Sequence, residues 1–311
     1  MMRWPNLRLP VVVAPMFLVS GPEMVVAACR AGVIGAFPSP NCRTTAEVDS
    51  WMTQITVQLG PDDAPWAVNL VTHSTNDRLA DDLAVVAKHK PPIVITALGS
   101  PRAAVATVHA YGGIVLADVV TVALARKAAA AGADGLVCVS AGAGGHTGML
   151  SPFAFISALR SFFDGPICVG GGLADGAGVA GAVAAGADLV YLGTRFLAAA
   201  ESMAVPDYKA MVVASGLEDL IISSAITGTA ASWLRPSLVA AGYDPDALGG
   251  RGKRDYGGDP ARQWRDLWAA GQGVGAVTAI EPVATIVDRL ETEFHAASAR
   301  LATWAQSTLG E

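Results

Sequence analysis

The feature that most constrains the fold is a series of eight short apolar runs, each six to eight residues long and rich in β-branched residues. Most of them are apolar throughout, which is typical of parallel strands buried on both faces. The predicted strands are VVVAPM (11–16), GVIGAF (32–37), WAVNLV (66–71), PIVITAL (92–98), GIVLADV (113–119), GLVCVSA (135–141), PICVGGG (166–172) and LVYLGTRF (189–196).

Alanine-rich segments of helical character lie between these runs. TVALARKAAAAGAD and GAGVAGAVAAGADL both carry Ala-Gly-Ala-Asp before the next strand, where glycine can take the left-handed conformation that ends a helix. Eight strands with seven crossovers in about 190 residues predict an α/β fold, a (β/α)8 TIM barrel. A doubly wound open sheet is the alternative, because a strand count does not establish closure. The G-x-G-x-x-G signature of a dinucleotide-binding first crossover is absent.

The sequence pattern changes after about residue 200, where strand-like runs give way to mixed segments. We predict a barrel core over residues 1–200, a helical insertion or lid over 201–280, and a C-terminal helix over 281–311 that packs back on the barrel. The fold class is therefore a TIM barrel with a C-terminal helical extension covering the catalytic face.

Composition excludes several classes of partner. The 311-residue chain is 52% hydrophobic and 15% charged, with a net charge of −6 and no cluster of Lys or Arg, so binding to nucleic acid or to a membrane surface is not expected. Four cysteines without a CxxC pair or metal-ligand spacing predict buried thiols in a reducing compartment and no metal site. No apolar run reaches the length of a membrane span, so we expect a cytoplasmic protein. The sequence leaves open whether the chain is monomeric or a homo-oligomer.

The predicted ends of strands seven and eight are rich in glycine. In a barrel of this type, phosphate sites recur in the loops after these two strands, and glycine lets backbone N–H groups approach an anion. Strand seven runs into Gly170, Gly171 and Gly172 and is followed by a predicted helix, while strand eight ends at Gly193 and Thr194. These residues predict a site for a phosphorylated ligand; the alternative is that the three glycines only form a tight turn.

Three other strand ends are expected at the same mouth of the barrel. Ala14, Pro15 and Met16 end strand one, where backbone can face a flat ring, and Asn69 is an amide inside an apolar run. A buried amide needs a partner, so Asn69 either braces a loop or contacts a ligand. His146 follows strand six in SAGAGGHTG, and we interpret it as a base or as a donor to an anionic oxygen, the alternative being a structural histidine.

Six segments in register resemble one family. They are APM in strand one, VNL in strand three, AGADGLVCVSAGAGGHTG, ICVGGGLADG, YLGTRFLAAAES and WAAGQGVG, spread over about residues 10–280. Together they resemble the nitronate monooxygenases, formerly called 2-nitropropane dioxygenases. That family folds as a (β/α)8 barrel with a helical extension, depends on FMN, and oxidises alkyl nitronates with molecular oxygen.

The resemblance implies roles for individual residues of this chain. It implies that the FMN phosphate lies against Gly171, Gly172, Gly193 and Thr194 and that His146 is the catalytic histidine beside the reactive edge of the ring. The residues that it implies near the flavin are Met16, Asn69, Gly144, Gly145 and Gln272, and Asp118 joins them if its side chain points inward.

The sequence also departs from the best-described nitronate monooxygenases. Their strand one carries Gln-Gly-Gly-Met where this chain has VAPMF, and their strand five carries His-Lys-Cys-Thr where LADVVT places Asp118 near the lysine position. The expected activity is FMN-dependent oxidation of a small nitronate or related anion by O2, giving a carbonyl product and nitrite. The alternatives are an NAD(P)H-dependent flavin reductase of an enoyl thioester or quinone, and a barrel that binds a phosphorylated metabolite without redox chemistry.

Overall fold

The computed structural model describes residues 4, 6–249 and 265–309. Eight parallel strands close into a barrel, with the last strand paired to the first, which confirms the predicted TIM barrel and excludes the open sheet. In chain order the barrel strands are β1 (Val11–Val13), β2 (Ile34–Pro38), β3 (Trp66–Val71), β4 (Ile93–Ala97), β5 (Ile114–Val119), β6 (Gly135–Val139), β8 (Ile167–Gly170) and β9 (Leu189–Leu192).

Helices alternate with these strands and cover the outside of the barrel. Their bounds are α1 (Pro22–Arg30), α2 (Thr45–Gln58), α3 (Leu79–His89), α4 (Arg102–His109), α5 (Val122–Ala130), α6 (Pro152–Arg160), α7 (Gly176–Ala184), α8 (Thr194–Leu197), α9 (Pro206–Ala214), α10 (Arg235–Ala240) and α11 (Val283–Leu309). Short 3-10 turns occur at Ser39–Asn41, Leu217–Asp219, Pro245–Ala247 and Val274–Ala276.

The two Ala-Gly-Ala-Asp motifs hold the N-terminal end of the barrel together. The glycine of each motif has a positive φ, +96° and +108°, and ends its helix there. The aspartate that follows bonds to a neighbouring strand: Asp134 accepts a hydrogen bond from the Val115 N–H at 2.7 Å, and Asp188 accepts one from the Ile167 N–H at 2.9 Å. The repeated motif therefore both ends a helix and fixes the start of the adjacent strand.

Several strands end earlier than the sequence predicts. β1 ends at Val13 rather than residue 16, and β9 ends at Leu192 rather than 196, because the chain enters α8 directly after Gly193. β8 ends at Gly170, since the two glycines that follow have φ of +138° and +68° and cannot continue a strand. The loops beyond these strands therefore carry Ala14, Pro15, Met16, Gly171, Gly172 and Gly193, and Thr194 is the first residue of α8.

Residues 201–280 are not wholly helical, which corrects the predicted helical insertion. The strands β10 (Leu220–Ser223) and β11 (Ala231–Leu234) form an antiparallel hairpin, and β11 also pairs with β7 (Gly145–His146). All four residues of β11 are buried, so this strand lacks the alternating pattern that would have identified it from sequence. The mouth of the barrel thus carries a small sheet of three strands.

The C-terminal helix α11 packs against the outside of the barrel. Its first half buries Val283, Ile286, Val287 and Leu290 in the core cluster that also contains residues of α1 and α7. The contact with α7 is close, since the glycine at the start of α7 faces the backbone of this helix. No helix in the described part of the chain is both long enough and apolar enough to cross a membrane.

Gly176→Ala should lower the free energy of unfolding by about 1–3 kcal/mol, as overpacking does. A Cβ at this position would lie 2.1 Å from the Leu290 carbonyl oxygen and 2.3 Å from the Phe294 nitrogen, so α11 must move away from α7. The measurement is chemical denaturation followed by circular dichroism.

The matched control is Gly181→Ala in the same helix. Its Cβ would have only the Phe153 ring as a neighbour, at 3.9 Å, and alanine is a better helix former than glycine by about 1 kcal/mol. Equal stability of the two variants would contradict the close packing of α11 on α7.

Candidate active site

Four predicted site residues form one layer at the C-terminal mouth of the barrel. The layer below it is apolar and takes one residue from each of four alternate strands: Val12, Ala67, Leu116 and Cys168. The side chain two residues further along a strand points to the same side of the sheet. The layer nearer the mouth therefore consists of Ala14, Asn69, Asp118 and Gly170. Two of these four are polar, so the apolar interior ends in a polar floor.

The ends of β1 and β9 meet beside this floor. A Cβ added to Gly193 would lie 3.5 Å from the Met16 Sδ and 3.6 Å from the Ala14 Cβ, so these predicted residues are neighbours. The turn after β1, which includes Pro15, is fixed by Ser20, whose hydroxyl accepts from the Met16 N–H at 2.9 Å and donates to the Ala14 carbonyl at 3.2 Å. The loop therefore presents a defined backbone surface at the mouth.

The loop of residues 140–148 is tied to the C-terminal extension through backbone groups. The Gly142 carbonyl accepts a hydrogen bond from the Gln272 N–H at 2.9 Å. The Thr194 hydroxyl accepts another from the Gly271 N–H at 2.9 Å. A hydroxyl has one donor and two acceptor positions, so Thr194 retains its proton for a ligand. The structure thus brings together the predicted residues Thr194 and Gln272.

Three glycine-rich loops pack so closely at the mouth that side chains would not fit. A Cβ on Gly144 would lie 2.6 Å from the Gly271 nitrogen, and one on Gly171 would lie 2.6 Å from the Ala141 carbonyl oxygen. A Cβ on Gly142 would lie 2.9 Å from the Gly172 nitrogen. Gly144 was predicted near the flavin, and its observed neighbours show that it is also needed for contact between loops.

The N-terminus of the helix that follows strand seven is not open to a ligand. Asp175 accepts from the Gly178 N–H at 2.6 Å, and Glu293 of α11 accepts from the Gly176 N–H at 2.8 Å. Two carboxylates therefore occupy the N-terminus of α7, which makes that end unfavourable for a phosphate. An anion at this mouth would depend on the glycine backbone around Gly171 and Gly193.

His146 is held by a β-sheet rather than by a loop of glycines alone. Together with Gly145 it forms β7, and its backbone pairs with Ala231 while Gly145 pairs with Ser232. The Thr147 hydroxyl that follows donates to the Ser140 carbonyl at 3.2 Å, closing the loop. The His146 side chain is exposed on the C-terminal side of the barrel. The pairing with β11 fixes its backbone, which the sequence did not indicate.

Asp118 and Tyr191 bring two buried polar atoms to the floor of the mouth. The Asp118 Oδ1 and the Tyr191 hydroxyl are buried, and neither has a hydrogen-bond partner within the described ranges. Burial raises the pKa of Asp118 from its usual 3.8 to about 7. Burial also raises the pKa of Tyr191 well above 10, with the nearby Asp118 as a further cause. Buried polar groups normally have partners, so these two atoms point to a polar ligand.

Sequence reasoning missed Tyr191 and Arg195. Tyr191 lies two residues beyond Leu189, which faces the barrel interior, so strand alternation would have identified its inward direction. Arg195 is buried against Glu281 at the base of α11, with 3.6 Å between charged atoms. Burial lowers the pKa of Arg195, and neighbouring Arg289 contributes in the same direction. Its partner lies 86 residues away in the chain, which no local pattern reveals.

A cleft of about 650 Å³ opens on the same face of the barrel, between the loops after β2 and β3. Val71 at the end of β3 lines it, together with charged residues such as Arg43, Asp77 and Asp81. Arg78 forms one wall and is held by Asp82, whose carboxylate lies 3.2 Å from the guanidinium. The cleft is open, and charged side chains line part of its wall.

Among the described residues, no group of three or more His, Cys, Asp or Glu side chains is arranged as a metal site. All four cysteines are buried and free. Burial raises the pKa of the Cys138 thiol to about 12, so it is neutral at physiological pH.

Comparisons with known proteins assign the family. A model of the nitronate monooxygenase family matches residues 62–248, more than half of the chain. A nitronate monooxygenase of Paraburkholderia phytofirmans is 28% identical over 280 residues, covering 76% of each chain. A nitroalkane oxidase structure from Streptomyces ansochromogenes superposes with a TM-score of 0.82 and 25% identity, covering 95% of this chain and 98% of that one.

Two further similarities are to proteins with other names, a carboxyl-CoA dehydrogenase and FabK. A (3aS,4S,5R,7aS)-5-hydroxy-7a-methyl-1-oxo-octahydro-1H-indene-4-carboxyl-CoA dehydrogenase of Rhodococcus jostii is 30% identical over 230 residues, covering 74% of this chain. This chain spans 64% of the length of that relative. A FabK variant from Thermotoga maritima has a TM-score of 0.80 and 25% identity, covering 97% of this chain and all of that one.

The barrel and these relatives define an oxidoreductase of the flavin-dependent class. The chain belongs to the nitronate monooxygenase family.

Asp118→Asn should remove a decline of stability between about pH 4 and pH 7. The raised pKa means that the folded protein keeps a proton that the unfolded chain has lost, so the free energy of unfolding falls as pH rises through this window and levels off above it. The decline from this group approaches about 1.4 kcal/mol per pH unit. Urea denaturation at pH 5 and pH 7.5 measures it.

The variant keeps the shape of the side chain, so the other carboxyl groups titrate alike in both proteins and cancel in the comparison. Asp62→Asn, at an exposed position, is the surface control and should keep the wild-type profile. Parallel profiles for wild type and Asp118→Asn would show that Asp118 is ionised in the folded protein at neutral pH.

Proposed function

We propose that this protein uses FMN to oxidise alkyl nitronates with O2, releasing nitrite and a carbonyl product. The observation that carries the proposal is His146, which is held on β7 and exposed on the C-terminal side of the barrel. It is a side chain that can both accept a proton and donate to an anionic oxygen near neutral pH. The family assignment supplies the reaction class.

The residues present are suitable for holding FMN. The phosphate would bind to backbone N–H groups of Gly171, Gly172 and Gly193 and to the hydroxyl of Thr194. A Cβ on Gly171 would press on the Ala141 carbonyl oxygen at 2.6 Å, so the backbone there has room only for glycine. The ring would lie over the polar floor, where two buried atoms lack protein partners. The residues proposed to contact the ring are Ala14, Pro15, Met16, Asn69, Asp118, Gly144, Gly145, Gly170 and Gln272.

The chain's own residues would bind and orient the substrate. His146 would donate a hydrogen bond to a nitro oxygen of the nitronate or remove the α-proton of a neutral nitroalkane. The β7–β11 pairing would keep its backbone in place during this step. Bound FMN supplies an electron acceptor that returns electrons to molecular oxygen.

The proposal is tested by anaerobic mixing of the FMN-loaded protein with propyl-2-nitronate, followed by flavin absorbance. We expect rapid bleaching by the nitronate. We also expect His146→Asn to retain FMN but to lose at least about 10²-fold in kcat/KM, the usual contribution of a general base or acid. The matched control is His295→Asn on α11, outside the site.

Flavin that stays oxidised with the nitronate would overturn the proposed activity. An unchanged kcat/KM for His146→Asn would instead leave the activity in place and return the histidine to a structural role.

Gly171→Ala should reduce FMN occupancy. The residue has a φ of +138°, which alanine adopts at a cost, and its Cβ would press on the Ala141 carbonyl at 2.6 Å. The readout is the ratio of flavin to protein absorbance after reconstitution with excess FMN, with circular dichroism to verify folding. Gly275→Ala is the control, because a Cβ there would have no neighbour within 4 Å. Full occupancy in the folded Gly171 variant would place the phosphate elsewhere.

The open cleft between the β2 and β3 loops favours a second candidate function, an NAD(P)H-dependent reductase or an acyl-CoA oxidoreductase. A nitronate needs little space, whereas a cleft of about 650 Å³ can receive an extended cosubstrate. The name of the carboxyl-CoA dehydrogenase relative agrees with this second candidate. The same anaerobic experiment decides: bleaching by NADH or NADPH, but not by nitronate, would support this candidate. Residues 250–264 lie outside the described residues.

A further inference from the structure

We propose that the Asp118 carboxyl carries a proton beneath the flavin and couples uptake of one additional proton to flavin reduction. This inference rests on the proposed binding of a flavin at the mouth. It concerns the protonation of a side chain on β5 and its effect on the cofactor, and it holds for either candidate substrate.

The position of Asp118 supports this role. It lies in the inward-facing layer directly above the apolar interior, two residues after Leu116 of the interior cluster. A carboxyl group at the centre of a parallel barrel is costly unless a partner or a ligand meets it. Its Oδ1 is buried and has no hydrogen-bond partner in the part of the chain that the structure describes.

The surroundings of Asp118 favour its neutral form. Titratable groups of the described residues that interact with it include Cys138 on β6, Cys168 on β8 and Tyr191 on β9. Burial raises the pKa of each of these three groups, so all remain neutral at physiological pH and none supplies a positive charge. Burial alone accounts for the raised pKa of Asp118, about 7.

The chemical consequence follows from the charge of the ligand. A protonated carboxyl can donate a hydrogen bond to a carbonyl or ring nitrogen of a flavin, whereas an ionised one can only accept. Reduction adds two electrons, and the negative charge that develops on the ring raises the affinity of a neighbouring carboxyl for its proton. At a pH between the pKa of Asp118 in the oxidised protein and its higher pKa in the reduced protein, reduction therefore moves one proton from solvent to Asp118.

Tyr191 is a positioning residue in this arrangement. Its hydroxyl is buried at the same floor, also without a partner in the described ranges, and its pKa is raised by burial and then by Asp118. It stays protonated throughout the range in which Asp118 titrates. Tyr191 can therefore donate to an ionised Asp118 or to the ligand without exchanging its own proton.

The test is the midpoint potential of the FMN-loaded protein from pH 5.5 to pH 9, measured by spectroelectrochemical titration. We expect wild type to show a pH window in which one more proton is taken up per two electrons than in Asp118→Asn. Tyr191→Phe should keep this window, with a shifted midpoint. These readouts do not depend on turnover with any substrate.

Each outcome decides a different question. Identical proton uptake in wild type and Asp118→Asn across the range would overturn the inference and leave the proposed function intact. Failure of wild type to bind FMN would overturn the proposed function itself. If the Asn variant does not bind FMN, Asp118→Ala is compared instead. If neither variant binds FMN, wild type is compared with free FMN in the same buffers. A pH range in which the midpoint potential of wild type falls more steeply with pH than that of free FMN supports the inference, and the lack of such a range overturns it.

Discussion

The site depends on direct backbone contact between three loops at the mouth of the barrel. The loop after β6, the glycines after β8 and the segment around Gly271 approach one another so closely that a single Cβ would collide with backbone atoms. Glycine carries an entropic cost in folding, and here that cost is offset because the loops then hydrogen-bond to each other through Gly142 and Gln272. The same lack of side chains leaves N–H groups able to face an anion.

The barrel itself could be predicted because its strands are buried on both faces. Continuous apolar runs and the repeated Ala-Gly-Ala-Asp junctions are local signals, and all eight strands appear where they were expected, with ends that differ by a few residues. The ends differ because a strand stops where φ becomes positive or a helix begins, as it does after Gly170 and Gly193. The presence of a glycine in the sequence does not indicate whether the strand ends at a positive φ or at the start of a helix.

The extension was harder to predict because its structure comes from distant pairings. β11 forms by pairing with β10, with Ala269 through a bridge from Trp233, and with the two residues of β7, which lie 85 residues earlier in the case of His146 and Ala231. Its burial on both faces removes the alternating pattern of a surface strand. For the site, strand ends indicated Asn69 and His146, whereas Gln272 and Asp118 were expected only through the family resemblance. Tyr191 was missed although it faces the same interior.

Different parts of the structure are proposed to hold the cofactor and to face the substrate, which explains why membership of the family does not determine the substrate. The residues proposed to hold the cofactor lie on barrel strands and on loops locked by backbone contacts, where few substitutions fit. The residues proposed to face a substrate lie on β7 and in the cleft after β2 and β3, whose walls are side chains such as Arg43 and Asp77. Side chains there can change without disturbing the barrel. Asp118 differs from both groups, because it is a titratable side chain in an otherwise constrained floor. A change at that position would alter the charge beneath the proposed cofactor site without replacing any side chain of the cleft, so the two can be varied independently.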